Sequence, residues 1–570
     1  MKLSKNLHWF LYILFPLACA RQTTPTGGPK DSIPPILLQS VPYHEQTNFT
    51  GKQLQLTFNE SLILNNPKDQ IIITPNVGKD FETTLRKNTV IVQFKNDLEE
   101  NTTYSINFRD AIQDITEKNP TKNVQLAFST GDYIDSLSIS GTVYDMLTGK
   151  ELKDATIGLY QQDTFNIFKH RPTYISKSDD KGKYQIGNLK PGTYQIYVSQ
   201  DDNKNLIVDS KSESYGYLTG GIELIQNQKD VNIPLISLDA RPLKLTSARP
   251  SASFYNIKAT KNISSYHIKA GEGQPVFSAF GQDHENVRIY NPGTISDSLK
   301  VNFHALDSMS NVIDTTLYVK FSQRELKPEA FTVTNEGFSA SGVTGHLTGK
   351  INVNKPLLAI NTDSIYYQLD TLTIIPFTSK DITYDTIRGN LTFLKTVDKT
   401  LFIKKPTTTV NTTQRPKAPP LKTPAGKPTK ETKPPAIENQ LYIGGHTFIS
   451  IESDTSKKIL VTLQPTTTET TGTILAQVNT KELHFIVQVI SKDKVVASSR
   501  DLARVTFEDL APGEYQLRLI IDRNNDGKWS PGNFFKREEP EPVIFYKNEK
   551  KSPSIGLKAN WELGPLLITF

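Results

Sequence analysis

Cysteine is almost missing from this chain. Cys19 is the single one in 570 residues, so no disulfide forms within the chain and each folded part depends on its own core. Thiol catalysis and iron–sulfur ligation in the rest of the chain are excluded for the same reason. The nine histidines are scattered, and none stands in a His-Glu-x-x-His or comparable ligand spacing. No Gly-x-Ser-x-Gly elbow and no phosphate-binding glycine loop occurs. Beyond the first twenty residues there is no long amphipathic helical pattern. The catalytic class left open is one whose paired carboxylates meet only in three dimensions, as in glycoside hydrolysis.

What is present describes a folded, multidomain protein. At 570 residues the chain should divide into four or five units, each with a core. With 36% hydrophobic and 22% charged residues it is too apolar for global disorder. Its formal net charge of +6 is a local effect, because eight Lys and Arg between Lys404 and Lys433 lie in one Pro/Thr-rich stretch. No basic stripe interleaved with aromatics appears, which excludes a nucleic-acid partner.

Lys2 and Lys5 precede a nearly unbroken apolar run from Leu7 to Leu17, and Ala18-Cys19 follows at once. That order predicts a signal peptide over residues 1–18, too short in its apolar part to remain as a membrane-spanning helix. Leu17-Ala18-Cys19 resembles the lipobox of bacterial lipoproteins, although Pro16 departs from the aliphatic residue usual there. The resemblance implies that Cys19 is lipidated and that its several acyl chains anchor the protein durably in membrane lipid. Residues 19–30, polar and rich in Pro and Gly, are the expected tether.

From Asp31 the pattern changes to short β-rich runs, among them Leu54–Phe58, Thr89–Phe94 and Tyr104–Phe108, separated by Asn, Asp, Gly and Pro clusters. Such spacing over about a hundred residues describes a β-sandwich. Asp31-x-x-Pro34-Pro35, Leu56-Thr-Phe58-Asn59-Glu60, Asn101-Thr-Thr-Tyr104 and Phe128-Ser-Thr-Gly131 resemble the bacterial Ig-like domain first known from S-layer proteins. With Thr24–Asp31 they resemble a family of Ig-like-domain lipoproteins of the Bacteroidota. A second pattern, Ser178–Ile186 followed by Leu189-Lys-Pro-Gly-Thr-Tyr194, predicts a hairpin with Tyr184, Ile186, Tyr194 and Ile196 on one buried face. It resembles the transthyretin-like fold of carboxypeptidase regulatory domains, which implies a non-catalytic module.

The same signature recurs without a gap. Leu189-x-Pro-Gly-x-Tyr-Gln-Ile reappears as Leu510-x-Pro-Gly-x-Tyr-Gln-Leu, and Asp201-x-Asn203-x-Asn205 as Asp522-x-Asn524-x-Asp526. Upstream, Ile351–Leu357 echoes Leu56–Leu62, and Phe448–Asp454 stands where Phe128–Asp132 stands before the first copy. The expected fold class is therefore all-β, with tandem β-sandwiches of Ig-like and transthyretin-like kind after a lipoprotein signal peptide. The expected domains are an Ig-like domain at 31–132, a regulatory-like sandwich at 136–240 and a further β-sandwich at 241–330. A second Ig-like unit follows at 343–460, carrying a Pro/Thr/Lys-rich insertion at 404–438, and a second regulatory-like sandwich at 464–570.

Two sets of residues are candidate sites. Asp522, Asn524 and Asp526 place oxygen side chains at alternate positions before Gly527, like the start of a Ca²⁺ loop, but Asn533 stands where the closing acid belongs. Asp201, Asn203, Asn205 and Asp209 form the related set. An Asx-stabilised turn leaving the strand is the favoured reading of both loops. Asp followed by Ser32, Ser136, Ser298, Thr315, Ser364, Thr371 or Thr386 resembles the O-glycosylation signal of Bacteroidota envelope proteins, while Asp-Ser and Asp-Thr also commonly close turns.

The sequence thus points to a non-catalytic, lipid-anchored scaffold of the outer membrane with no cofactor other than a candidate Ca²⁺. Its expected partners are membrane lipid through Cys19, and proteins such as an outer-membrane β-barrel or other lipoproteins. An accessory role in outer-membrane protein assembly or export fits this picture. A glycan-binding lipoprotein of a nutrient-uptake system and an envelope hydrolase with dispersed carboxylates are the rivals. The residues after Cys19 lack an acidic export signal, which points toward the periplasmic leaflet and leaves the side open.

Overall fold

The computed structural model describes residues 31–570 except 123, 162–165, 252, 272–274, 293–297, 323–328 and 403–437. The signal peptide, Cys19, the tether and nearly all of the 404–438 insertion lie outside the described residues. The chain divides into two compact units. One holds residues up to Val143 with Leu152–Ile207 and Gly220–Asn232, and the other holds Tyr144–Glu151, Val208–Thr219 and Ile233–Phe570. The segment expected as one domain at 136–240 is therefore shared between the units. The regular structure of the described residues is almost wholly β-strand, arranged in tandem β-sandwiches.

In the first unit, the leading sandwich contains β1 (Leu37–Val41), β2 (Gln53–Phe58), β3 (Leu62–Leu64), β4 (Ile72–Thr74), β5 (Phe81–Arg86), β6 (Thr89–Phe94), β7 (Thr103–Asn107), β8 (Ile112–Asp114) and β9 (Gln125–Ser129). One sheet has the order β1-β2-β6-β5 and the other β4-β7-β9, with β3 and β8 paired beside them. The period-two alternation of β2 sends Leu54, Leu56 and Phe58 inward, where they are fully buried with Val90, Ile106 and Phe128. Each such side chain contributes roughly 1.5–3 kcal/mol by leaving water. A single helical turn, α1 (Pro67–Gln70), precedes β4; Asn66 enters it in the left-handed region and Pro67 supplies a preset φ at its start.

The regulatory-like strands are β10 (Leu137–Asp145), β11 (Thr156–Tyr160), β12 (Tyr174–Lys177), β13 (Lys183–Leu189), β14 (Gly192–Ser199), β15 (Tyr215–Tyr217), β16 (Ile222–Leu224) and β17 (Ile233–Leu235). Within the first unit β13 pairs with β10, β12-β11-β14 form a second sheet, and β16 adds to β14. This corrects the hairpin expected at Pro191-Gly192. β13 and β14 lie in different sheets, so the turn is a corner from one sheet to the other. Tyr184, Ile186, Tyr194 and Ile196 are all buried nonetheless, because both sheets turn their apolar faces to one core. The corner is tied by the Tyr194 hydroxyl, which donates to the Lys190 carbonyl at 2.8 Å.

In the second unit, β18 (Leu245–Ser251), β19 (Phe254–Ala259), β20 (Ser265–Ala270), β21 (Phe277–Phe280), β22 (Asn286–Tyr290), β23 (Ser298–Leu306) and β24 (Val312–Lys320) make a sandwich of two sheets, β18-β19-β22-β21 and β20-β23-β24. Ile257, Val287, Phe303 and Val319 fill its core. The next sandwich contains β25 (Val333–Ala340), β26 (His346–Val353), β27 (Leu357–Ile360), β28 (Ile365–Gln368), β29 (Ile374–Pro376), β30 (Ile382–Asp385), β31 (Asn390–Thr396), β32 (Gln440–Ile443), β33 (Phe448–Ser450) and β34 (Ile459–Thr462). Its orders, β25-β26-β31-β30, β27-β33 and β29-β28-β32-β34, repeat those of the leading sandwich with β29 added.

Two details of the expected map change here. The sandwich expected as a second Ig-like unit starts with β25, ahead of residue 343, because Val333–Ala340 is the counterpart of β1. Phe448 lies in β33 and corresponds to β8, not to the Phe128 strand, which β34 matches; the local resemblance of two short apolar runs misaligned them by one strand. Residues 404–438 fall between β31 and β32, two strands of this same sandwich. Lys355, almost fully buried, joins β26 to the turn after β33 by pairing with Glu452 and, at 2.7 Å, with Asp454.

The final strands are β35 (Gly472–Asn479), β36 (Phe485–Ser491), β37 (Lys494–Arg500), β38 (Arg504–Leu510), β39 (Gly513–Ile521), β40 (Val543–Phe545), β41 (Ile555–Leu557) and β42 (Glu562–Thr569). β38 pairs with β35, β37-β36-β39 form a sheet, and β41 adds to β39, the pairings already seen for β10 to β16. Among the described residues no helix is long and apolar enough to cross a membrane.

Candidate functional site

A cleft of about 570 Å³ opens within the first unit, where the leading sandwich meets the regulatory-like strands. Its walls are set by edge-to-edge docking. β4 ends one sheet and β12 ends another, and the Thr74 hydroxyl donates to the Ile175 carbonyl at 3.1 Å. The Asn76 amide reaches the Thr173 carbonyl at 2.6 Å, and its side-chain nitrogen reaches Pro172 at 3.1 Å. Two strand edges that would otherwise invite foreign strands are thereby covered.

Charge lines the cleft. Asp69, on α1, accepts Lys79 and Lys204 at 3.0 Å each, and those bonds hold its carboxyl below the ordinary value. Arg109 pairs with Asp154. Lys177 ends β12, and its ammonium donates to the Asp154 backbone carbonyl at 3.2 Å. Burial pushes Lys177 below its ordinary value, against the attraction of Asp201. Among the described residues, six basic and five acidic side chains line the cleft. No histidine or cysteine is among them. The Ser176 hydroxyl is committed to the Gln185 carbonyl at 2.8 Å, and Thr156 makes no hydrogen bond to Lys177 that would activate it as a nucleophile.

The loop Asp201–Leu206 forms one side of this cleft and brings three of the sequence-predicted residues together. Asp201 accepts the amides of Asn205 and Leu206, Asn203 accepts Asn205, and Asn205 accepts Ile207. Asp209 falls in the second unit and accepts the Lys211 amide. In the other copy Asp522 is fully buried; it accepts the amides of Asp526 and Gly527 and pairs with Arg500 at 2.9 Å. Asn524 accepts the Asp526 amide, and Asp526 accepts Lys528. These are the bonds of Asx-stabilised turns. Among the described residues no group of three or more His, Cys, Asp or Glu is placed to hold a metal ion.

Of the hydroxyls in Asp-Ser/Thr pairs, Ser32, Ser136, Ser298, Thr371 and Thr386 are exposed, and Thr315 and Ser364 are half-buried. Asp31, Asp370 and Asp385 each accept an amide two residues on, which is the turn role such pairs also have. Cys19 lies outside the described residues.

Sequence reading missed Lys177 and Thr156. They carry no motif; only the strand register, which sets Thr156 opposite Lys177 on one side and Ser199 on the other, brings them together.

Among curated proteins none matches the chain. Among solved structures, the N-terminal part of the bacterial S-layer protein SbsC is 11% identical, over 36% of this chain and 44% of its own, with a TM-score of 0.14. SbsC domains 1–6 are 10% identical over 92% and 67%, with a TM-score of 0.13. BcpA, the major pilin subunit of Bacillus cereus, is 10% identical over 76% and 98%, with a TM-score of 0.12. The chain spans less than half the length of the first of these. Likeness at such TM-scores assigns no role. Residues 31–130 match the family described as bacterial Ig-like domain, and the leading sandwich is a domain of that kind.

Proposed function

We propose that the chain is an outer-membrane lipoprotein of the Bacteroidota Ig-like kind, anchored through Cys19, that serves as a non-catalytic scaffold. The observation that carries this reading is the repeated pair: an Ig-like strand order followed by a regulatory-like one occurs twice in one chain. Two similar platforms on one anchored molecule raise the local concentration of docking faces, so modest interfaces suffice for a lasting complex. Covered edges at β4 and β12 support the same reading, because they leave faces and loops for partners while discouraging unspecific strand addition. The partner class is an integral β-barrel or another lipoprotein, in the setting of outer-membrane protein assembly or export. Gentle detergent extraction tests it: the chain should come out in a defined complex containing a β-barrel.

A further inference from the structure

The leading sandwich and the sandwich that repeats its strand order differ at one edge. β1 and its counterpart β25 each end a four-stranded sheet, and among the described residues no strand pairs with the outer edge of either. β25 turns polar side chains to solvent: Thr334, Asn335, Glu336 and Ser339 are its exposed ones. Polar and charged side chains are the usual protection of an open edge. β1 and its flanks do the opposite. Ile33, Ile36, Leu38, Val41 and Tyr43 all project, with Ile36 56%, Leu38 65% and Tyr43 64% exposed. Leu38, Val41 and Tyr43 line one shallow depression of about 520 Å³ along the strand. The polar edge of β25 shows that the fold does not need an apolar one, and an exposed apolar edge invites aggregation unless something covers it.

The place of this edge in the chain says what covers it. Asp31 is pinned to the sandwich: its backbone carbonyl accepts the Asn119 side-chain nitrogen at 3.1 Å, and its carboxylate accepts the Ile33 amide at 2.9 Å. Ile36 is fixed in turn, its amide donating to the Asn59 side chain at 2.7 Å and its carbonyl accepting the Asn59 amide at 3.1 Å. The apolar edge therefore starts where the tether meets the fold. Twelve residues lead from Cys19 to Asp31, and even fully extended they reach at most roughly 40 Å. β25 follows another sandwich instead. Charge narrows the choice of surface. Burial first, then the charges of Asp114, Asp31 and Glu117, push the Glu60 carboxyl up, and this group of acids beside the tether would repel an anionic lipid surface.

We infer that the leading sandwich rests on a zwitterionic phospholipid bilayer through the β1 edge, with Ile36, Leu38 and Tyr43 entering the headgroup region beside the lipid at Cys19. The aliphatic side chains supply buried apolar area, and the Tyr43 ring suits the boundary between headgroups and acyl chains. A patch this small binds weakly by itself; the anchor makes it effective by holding it at high local concentration. The inference rests on lipid anchoring at Cys19, which the scaffold reading includes.

The test places the lipidated full chain in phosphatidylcholine vesicles whose acyl chains are brominated close to the headgroup, where bromine quenches nearby tryptophan. Against the unsubstituted chain as background, Leu38→Trp should lose the greater part of its added emission. Thr84→Trp, exposed on β5 at the opposite edge of the same sheet, should keep it. Adding Ile36→Glu and Tyr43→Glu to the Leu38→Trp chain should restore the emission while the chain still sediments with the vesicles. Replacing part of the phosphatidylcholine with phosphatidylglycerol should weaken the quenching. A chain that sediments with the vesicles overturns the inference, and leaves the anchor standing, if Leu38→Trp is not quenched, if Thr84→Trp is quenched equally, if the glutamates change nothing, or if anionic vesicles quench more strongly. Emission that follows protein concentration and ignores bromination would assign the edge to a second copy and likewise overturn it. A chain that fails to sediment overturns the anchor, and the inference with it.

Discussion

Asp201 and Asp522 hold their loops by the same two bonds: one carboxylate oxygen accepts the amide four residues on, at 3.0 Å in both, and the other accepts the amide five residues on. The backbone follows suit. Lys204 and Leu206 are left-handed with φ of 57° and 64°, and Asn525 and Gly527 with 59° and 78°.

Gly527 suits that conformation because it lacks the Cβ that makes it costly, and an added Cβ would approach Arg500 at 3.1 Å. Gly527→Ala should lower stability by roughly 1–2 kcal/mol. Urea denaturation reads this directly, and an unchanged midpoint would mean that the loop rearranges freely.

The same bonds bear on calcium. With the oxygens of Asp522 taken by two amides and Arg500, adding Ca²⁺ or a chelator to the purified chain should leave its melting temperature unchanged. A saturable rise with Ca²⁺ would restore the metal-loop reading of Asp522, Asn524 and Asp526.

Acid should destabilise the leading sandwich through Asp114. Burial alone would raise this carboxyl, but amides of Glu117, Asn119 and Lys118 donate to it and hold it below its ordinary 3.8. A carboxyl depressed in the folded state contributes stability above its unfolded value, and that contribution is lost as pH falls through the folded one. Thermal melts should therefore decline below about pH 4, and Asp114→Asn should lower the melting temperature at neutral pH while flattening that decline. An equally steep decline in the variant would assign acid lability elsewhere.

Much of this architecture was legible because it is written in local chemistry. Gly182, Pro191-Gly192 and the alternation through Tyr194 and Ile196 announce turns and buried strands, and their recurrence at Pro512-Gly513 exposes the duplication. Alternation cannot say which strand pairs with which. Hence the corner at Pro191 reads as a hairpin, and Phe448 aligns with a strand one place too late. The cleft was illegible for the same reason: Lys177, Thr156 and Ser199 are far apart in sequence and meet only through register.

The anchor is tested separately from the fold. Because Cys19 is the only thiol in the chain, Cys19→Ser should move the protein from the membrane fraction to the soluble one. Continued partition with membranes would overturn lipid anchoring at that residue.

The most direct test of the scaffold account is crosslinking in native membranes followed by gentle extraction and identification of what is joined to the chain. The account predicts a defined complex containing an integral β-barrel, together with an altered outer-membrane protein composition when the chain is depleted. Recovery of the chain alone under crosslinking, or hydrolysis of an envelope polymer by the purified protein, would contradict it.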